Sequence, residues 1–239
     1  MKQAYVTLLS SEDYLDAVLV LAQCLKDVRS KYPLLVIIPN SIVSERTVLP
    51  LRRMGCQIYS TEDLHYSKVT EEKWVDHPVL NTASKMAMFN MKEWDRLVYI
   101  DADVLVVANI DDLFDYPDGS MILPEGELMG ITGLLVFSPK FHFASIYYMA
   151  LLNSEAAGFD GDIIGSLWFH VRESKAHQIP LEYFRDYSVN PFQIQPTDKI
   201  IHFGNYPKPW LSQNDNKYAS LYGIAKLYKE YLYAIQRVK

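Results

Sequence analysis

Two hydrophobic periods alternate along roughly the first hundred residues, and this alternation limits the fold more tightly than any other feature of the chain. Residues 4–9, apolar but for Thr7, form a run of strand length. Residues 14–28 then set Leu15, Val18, Leu19, Ala22 and Leu25 at helical spacing behind Ser11-Glu12-Asp13, a capping start. The strand pattern returns over 34–38, the helical one over 41–54 and the strand again over 56–60, with Pro39 and Gly55 as punctuation. Strand, helix, strand, helix, strand in this order predicts a mostly parallel sheet covered by helices on both faces. After a polar stretch at 61–77, residues 80–92 read as a helix, and 96–100 as a fourth apolar strand ending abruptly in Asp101-Ala102-Asp103. The second half is less regular. A strand is expected over 131–137, helices over 141–153 and 160–171, and a short final strand over 199–203, which makes the sheet mixed. Tyr218, Leu221, Tyr222, Ala225, Tyr228, Leu232 and Ile235 recur at spacings of 3 and 4 and predict an amphipathic helix over about 215–238. Its apolar stripe suits packing against the domain, with a homodimer or membrane-surface contact as the alternatives.

With 239 residues, 49% hydrophobic and 22% charged, the composition is that of a globular protein and excludes disorder, collagen-like repeats and coiled coil. A chain of this length buries roughly 70–75% of its unfolded surface, enough for one core. No internal repeat or Gly/Ser linker divides it, so one α/β domain over 1–239 is expected. Lys+Arg 23 against Asp+Glu 29, with only short basic clusters at Arg52-Arg53 and 226–229, argues against a nucleic-acid partner. Cys24 and Cys56 belong to no metal or redox spacing and read as buried reduced thiols. Residues 1–3 run straight into the first strand without a signal-peptide pattern, and no stretch reaches about 18 apolar residues. A cytoplasmic protein with no transmembrane segment is therefore expected.

The chemistry is expected where the fourth strand stops. Ligands of open α/β sheets bind beyond the carboxyl ends of the strands, and Asp101 and Asp103 stand at such an end. Two carboxylates two residues apart on an extended turn can face one side and hold a hard divalent cation. Alone such a pair is a weak signal, since solvated turns and helix caps carry it too. Asp111-Asp112, ahead of Leu113-Phe114, reads as a helix cap. The final strand adds His202, and a histidine in a buried strand is either a satisfied core residue or a ligand. Two carboxylates and an imidazole with open positions suit Mn2+ or Mg2+ on a diphosphate. The turn from Gly204 to Lys208 offers backbone donors and a point charge to phosphate oxygens.

Taken in order, these segments resemble family 8 glycosyltransferases of the glycogenin and galactinol synthase type. The similar segments are residues 4–10 with Tyr14 and Leu19-Val20-Leu21, Ser84-Lys85, residues 97–103 with 109–115 behind, residues 133–137, Phe159-Asp160-Gly161-Asp162, and residues 202–210. The resemblance implies a GT-A fold with a single Rossmann-like domain, and a retaining transfer from a UDP-sugar donor to a saccharide, glycoconjugate or small-molecule acceptor. Leu8, Ser10 and Tyr14 would hold the uridine, Tyr14 by stacking, with Ala102 also against the donor. Asp101, Asp103 and His202 would hold Mn2+, and Lys208 would neutralise the leaving phosphate. Lys85 and Asp162 would face the donor sugar as the catalytic pair, together with Thr132 and Gly133.

Three departures stand out. Ile131-Thr132-Gly133 replaces the family's Asn-Ser-Gly, Asp162-Ile163 replaces Asp-Gln, and Gly204 comes one position early. Ile131 and Ile163 motivate an alternative function, a silent nucleotide-sugar-binding relative acting as sensor or scaffold. A nucleotidyltransferase would need a Gly-rich loop after the first strand, where Leu9-Ser10-Ser11-Glu12 has none. Trp74, Trp94, Trp168 and Trp210 are candidates for stacking on an acceptor sugar, with core packing the alternative for each. The 61–77 stretch reads as a lid or a plain surface loop.

Overall fold

The computed structural model describes residues 1–75, 78–125, 130–140, 145, 148–150, 158–167, 175–186, 195–204, 208–210, 232–234 and 236–237. Most of the helices expected over 141–153 and about 215–238, the end of the one over 160–171, and Trp168 lie outside these residues.

The regular first half forms as its pattern dictates. Strand β1 (Gln3–Leu8) is followed by helix α1 (Leu15–Asp27), β2 (Leu34–Pro39), α2 (Glu45–Arg53) and β3 (Gln57–Thr61). Helix α2 starts where Ser44 and Thr47 satisfy each other: the Ser44 side chain accepts from Thr47 N and the Thr47 hydroxyl accepts from Ser44 N. The polar stretch after β3 is not all loop, because Ser67 caps a short helix, α3 (Lys68–Lys73), through Thr70 N. The helix expected over 80–92 is a tighter 3-10 helix at Pro78–Asn90. Strand β4 (Arg96–Ile100) then leads through residues 101–103 into β5 (Val104–Val106), and β6 (Ser120–Ile122), β7 (Ile131–Phe137), helix α4 (Asp160–Leu167), β8 (Arg185–Asp186) and β9 (Ile200–His202) follow.

The main sheet has the order β3-β2-β1-β4-β7-β6, with β3, β2, β1 and β4 parallel and β7 and β6 antiparallel. It is mixed and mostly parallel, as expected. The expectation of one sheet needs correction, since β5, β9 and β8 form a second, three-stranded sheet, and His202 belongs to it. Strands of two or three residues are too short to show a period, which is why β5, β6 and β8 are invisible in the sequence. Side-chain alternation divides the core between the two faces of the main sheet. Tyr5, Leu9, Val36, Val98 and Leu134 pack toward α1, while Val6, Leu8, Leu35, Leu97 and Leu135 pack toward Met86 and Phe89 of the 3-10 helix. The chain runs from β1 outward to β3 and then returns to β4 on the other side of β1. The carboxyl ends of β1 and β4 therefore flank the switch point, where such sheets bind ligands. Among the described residues no helix is long and apolar enough to cross a membrane. Cys24 and Cys56 are buried free thiols.

Asp111 and Asp112 do not cap a helix. The N-cap of their 3-10 turn is Ile110, and both carboxylates reach across the fold. Asp111 accepts from the Tyr5 hydroxyl at 2.9 Å, from Ser30 Oγ at 2.9 Å and from Lys31 N at 3.0 Å, fastening the α1–β2 loop to the base of β1. Asp112 accepts from Tyr183 and from Lys199 Nζ, which ties the turn after β5 to the segments leading into β8 and β9. Tyr5 is fully buried. Asp111→Ala is expected to lower stability by about 2 kcal/mol, the cost of a buried hydroxyl losing its acceptor, measured as a shift in urea midpoint without a change in slope.

Candidate functional site

The two carboxylates are delivered by a crossing. Residues 101–103 carry the chain from β4 in the main sheet to β5 in the second, and each end of the crossing is bolted to a neighbouring strand. Asp101 N donates to Gly133 O at 2.9 Å, and Phe203 N donates to Asp103 O at 2.9 Å. Ala102 points into the core, so Asp101 and Asp103 share the opposite side. Antiparallel pairing then sets Val104 against His202. The outcome is a cluster in which ligand atoms of Asp101, Asp103 and His202 all lie within 4.8 Å of one another. Gly133 is required here, because a Cβ on it would fall 2.6 Å from Asp101 Oδ2 and 2.5 Å from Phe184 Cζ.

Two buried lysines flank the cluster. Lys208 Nζ lies 2.7 Å from Asp103 Oδ2 and also donates to Phe203 O and Gly204 O. Lys85 Nζ lies 2.8 Å from Asp160 Oδ2 and 3.3 Å from Asp101 Oδ1, and sits over the Tyr99 ring, whose hydroxyl donates to Asp101 at 2.9 Å. Both lysines are only 2% exposed. Asp101, at 29%, is more open to an incoming ligand than Asp103 at 12% or Asp160 at 14%. On the far side His202 Nε2 is 3.4 Å from Asp103 Oδ1 and Nδ1 is 3.2 Å from Asp186 Oδ2.

Burial and neighbouring charge together set protonation. Burial raises the Asp101 carboxyl, and neighbouring Asp103 and Asp160 add to the rise against the pull of Lys85. Burial would raise Asp103 as well, but His202 and Lys208 outweigh it and hold that group well below the usual carboxylate range. Burial would lower His202, yet Asp103 and Asp186 lift the imidazole to about 10. Burial works against both Lys85 and Asp160, yet Asp101 and Asp160 raise Lys85, and Lys85 lowers Asp160. Asp101, Asp103, Asp160 and Asp186 face two lysines and one imidazole. With the imidazole neutral, two negative charges are left over, which one divalent cation balances. The donor set fits such an ion: two hard carboxylates and one imidazole suit Mn2+, and the gathered negative charge favours it. His202 would give up its Nε2 proton to become a ligand, so metal binding there would release a proton and strengthen as pH rises.

The sequence-derived assignments divide. Asp101, Asp103, His202, Lys85, Thr132, Gly133, Gly204 and Lys208 all border this cluster. Asp162 does not. It is exposed and accepts from Phe159 N at 2.9 Å at the start of α4. Asp160 stands beside Lys85 instead, also accepting from Thr82 at 3.2 Å and Thr132 at 3.4 Å. Helical phase carried that signal, because Asp160 precedes the buried Ile163 and Ile164 by three and four residues and so shares their inward face. Ile163 is core, and Gly161 follows Asp160, with Thr132 Oγ1 at 3.8 Å the nearest atom a Cβ there would meet. At the β1 end Leu8 is buried, leaving its backbone to a ligand, Ser10 is half-buried, and Tyr14 ends a 3-10 turn. Trp210 meets Tyr14 edge-on at 5.1 Å and donates from Nε1 to Asp13 O at 2.8 Å, while Trp94 is buried in the core and Trp74 packs on Phe159.

Comparison with solved structures places this architecture among the GT-A glycosyltransferases. The galactosyltransferase LgtC, solved with donor and acceptor sugar analogues, superposes with a TM-score of 0.69 at 14% identity, covering 97% of this chain and 95% of that one. The glycosyltransferase GlyE of Streptococcus pneumoniae gives 0.67 at 14% identity over 97% and 61%. The fold is GT-A, an α/β sheet flanked by helices. In sequence, galactinol synthase 7 of Arabidopsis thaliana is 36% identical over 119 residues, 49% of this chain and 35% of its own. Glycogenin of Neurospora crassa is 26% identical over 219 residues, 88% of this chain and 32% of its own. The chain spans about a third of the length of these curated relatives. No protein-family model matches it. In sequence the chain is similar to galactinol synthases and to glycogenin.

Proposed function

We propose that this protein is a glycosyltransferase that moves a hexose-type sugar from a UDP-sugar to an acceptor hydroxyl, retaining anomeric configuration and depending on Mn2+, with Mg2+ as the alternative ion. The observation that carries this reading is the meeting of Asp101, Asp103 and His202 at the switch point between two buried lysines. Asp101, Asp103 and His202 would hold the ion, which supplies charge stabilisation to the diphosphate as the glycosidic bond breaks. Lys208, next to Asp103, would stand against the leaving phosphate. Leu8, Ser10 and Ala102 would line the nucleoside side, with the Tyr14 ring against the base.

The sugar side falls to Lys85, Asp160, Thr132 and Gly133. Asp160 takes the role first given to Asp162, because its carboxylate meets both Lys85 and Thr132. Lys85 holds Asp160 ionised at neutral pH, so this carboxylate would face the positive character that develops on the sugar ring as UDP departs. The acceptor, a saccharide, glycoconjugate or small molecule, would meet the same face. Names among the relatives support a sugar transferase: galactinol synthase, glycogenin and a galactosyltransferase.

Calorimetric titration with UDP-glucose, UDP-galactose, UDP-N-acetylglucosamine and UDP, each with and without Mn2+ and followed by an assay of UDP release, tests the proposal. Metal-dependent binding with slow UDP release from one donor is expected. Binding of UDP with no turnover from any sugar would point to the sensor or scaffold instead, and no binding would overturn the site.

A further inference from the structure

Asp186 has no part in the nucleotide or sugar contacts above, yet three features aim it at His202. Parallel pairing of β8 with β9 sets Asp186 directly beside His202, so the two side chains leave the sheet on one side. Asp186 Oδ2 lies 3.2 Å from His202 Nδ1, the ring nitrogen turned away from Asp103. Gly204 makes room for the approach, since a Cβ there would fall 2.9 Å from Asp186 Oδ2 and 2.9 Å from His202 Cε1. The buried Phe184 lies against the imidazole face, ring centroids 4.7 Å apart, and keeps the ring from swinging out of line.

We infer that Asp186 is a positioning residue that fixes the orientation and tautomer of His202 for a divalent cation. A histidine that donates from Nδ1 to a carboxylate presents the lone pair of Nε2, here on the side of Asp103, and becomes a more basic ligand. The carboxylate therefore holds the ring in line before any ion arrives, and keeps the proton on Nδ1 when Nε2 gives up its own to the ion. This inference rests on the metal reading of Asp101, Asp103 and His202.

The test is calorimetric Mn2+ binding to the purified full chain in the absence of nucleotide, with free Mn2+ counted by electron paramagnetic resonance. Asp186→Ala is expected to weaken binding by about 10- to 100-fold. Asp186→Asn, whose amide oxygen still accepts from Nδ1, is expected to bind more tightly than Asp186→Ala, and circular dichroism identifies any variant that has lost its fold. In a His202→Ala background, Asp186→Ala is expected to add no further loss, because Asp186 acts through the imidazole. Equal affinity of wild type and Asp186→Ala, or an undiminished loss without His202, would overturn the inference while leaving the metal site standing. Failure of the wild-type chain to bind Mn2+ would instead overturn the metal reading, and the inference with it.

Discussion

Asp103→Asn is expected to slow UDP release from the donor by at least about 10²-fold, and excess Mn2+ is expected not to restore it. The substitution preserves shape and removes one charge from the residue on which both halves of the site depend. Asp103 Oδ2 holds Lys208 at 2.7 Å, and Asp103 Oδ1 lies 3.4 Å from His202 Nε2. A metal ligand and the partner of the proposed phosphate-facing lysine are thus lost in one step. A single preorganised group that stabilises developing charge is worth typically 10²–10³ in rate. Two such groups disturbed together should reach at least the lower bound. Asparagine can still accept from Lys208, so the fold should survive, and a thermal scan separates lost chemistry from lost structure. Donor turnover within a few-fold of wild type would show that Asp103 is not where leaving-group charge is met.

The sequence displays Asp101 and Asp103 because the unbroken apolar run of residues 97–100 stops at them. A strand buried on both faces gives a strong signal, and so does its sudden end. His202 is legible for the same reason, as a polar residue inside a short apolar strand. Its place in a second sheet is not, since the partners of β9 there, β5 and β8, are too short for a period to register. The exchange of Asp162 for Asp160 has a different cause. Both flank Gly161 and both lie in the first turn of α4, so residue type cannot separate them. Only the direction of the helix face does, with Ile163 and Ile164 marking the inner side. Asp111 and Asp112 mislead in the opposite sense. A pair of aspartates before an apolar pair has the pattern of a cap, whereas their carboxylates reach partners 80 or more residues away in Asp111 and 71 and 87 in Asp112. No local pattern encodes such a contact. Asp186 is illegible for that reason too: its meaning comes entirely from the strand it lies beside.

Lys85 offers the sharpest division between structural and chemical roles, because its ion pair with Asp160 serves both. Lys85 is 2% exposed and Asp160 14%, and Lys85 also touches Asp101 at 3.3 Å. Lys85→Met keeps the length of the side chain but leaves two carboxylates without their cation. Removing one partner of a buried pair typically costs about 3–5 kcal/mol, most of it the penalty of the stranded charge. Urea unfolding should therefore show a loss of that size. Adding Asp160→Asn removes one stranded charge, so the double variant should recover more than half of the lost stability, a coupling that the double-mutant cycle measures directly. Donor turnover should not follow. If Lys85 and Asp160 face the sugar as proposed, both the single and the double variant should stay at least about 10²-fold below wild type, since a neutral Met/Asn pair offers nothing to charge developing on the ring. Recovery of turnover in step with stability would show that the pair only holds β4, β7 and α4 together, and would remove Lys85 and Asp160 from the proposed chemistry while leaving Asp101, Asp103 and His202 in it.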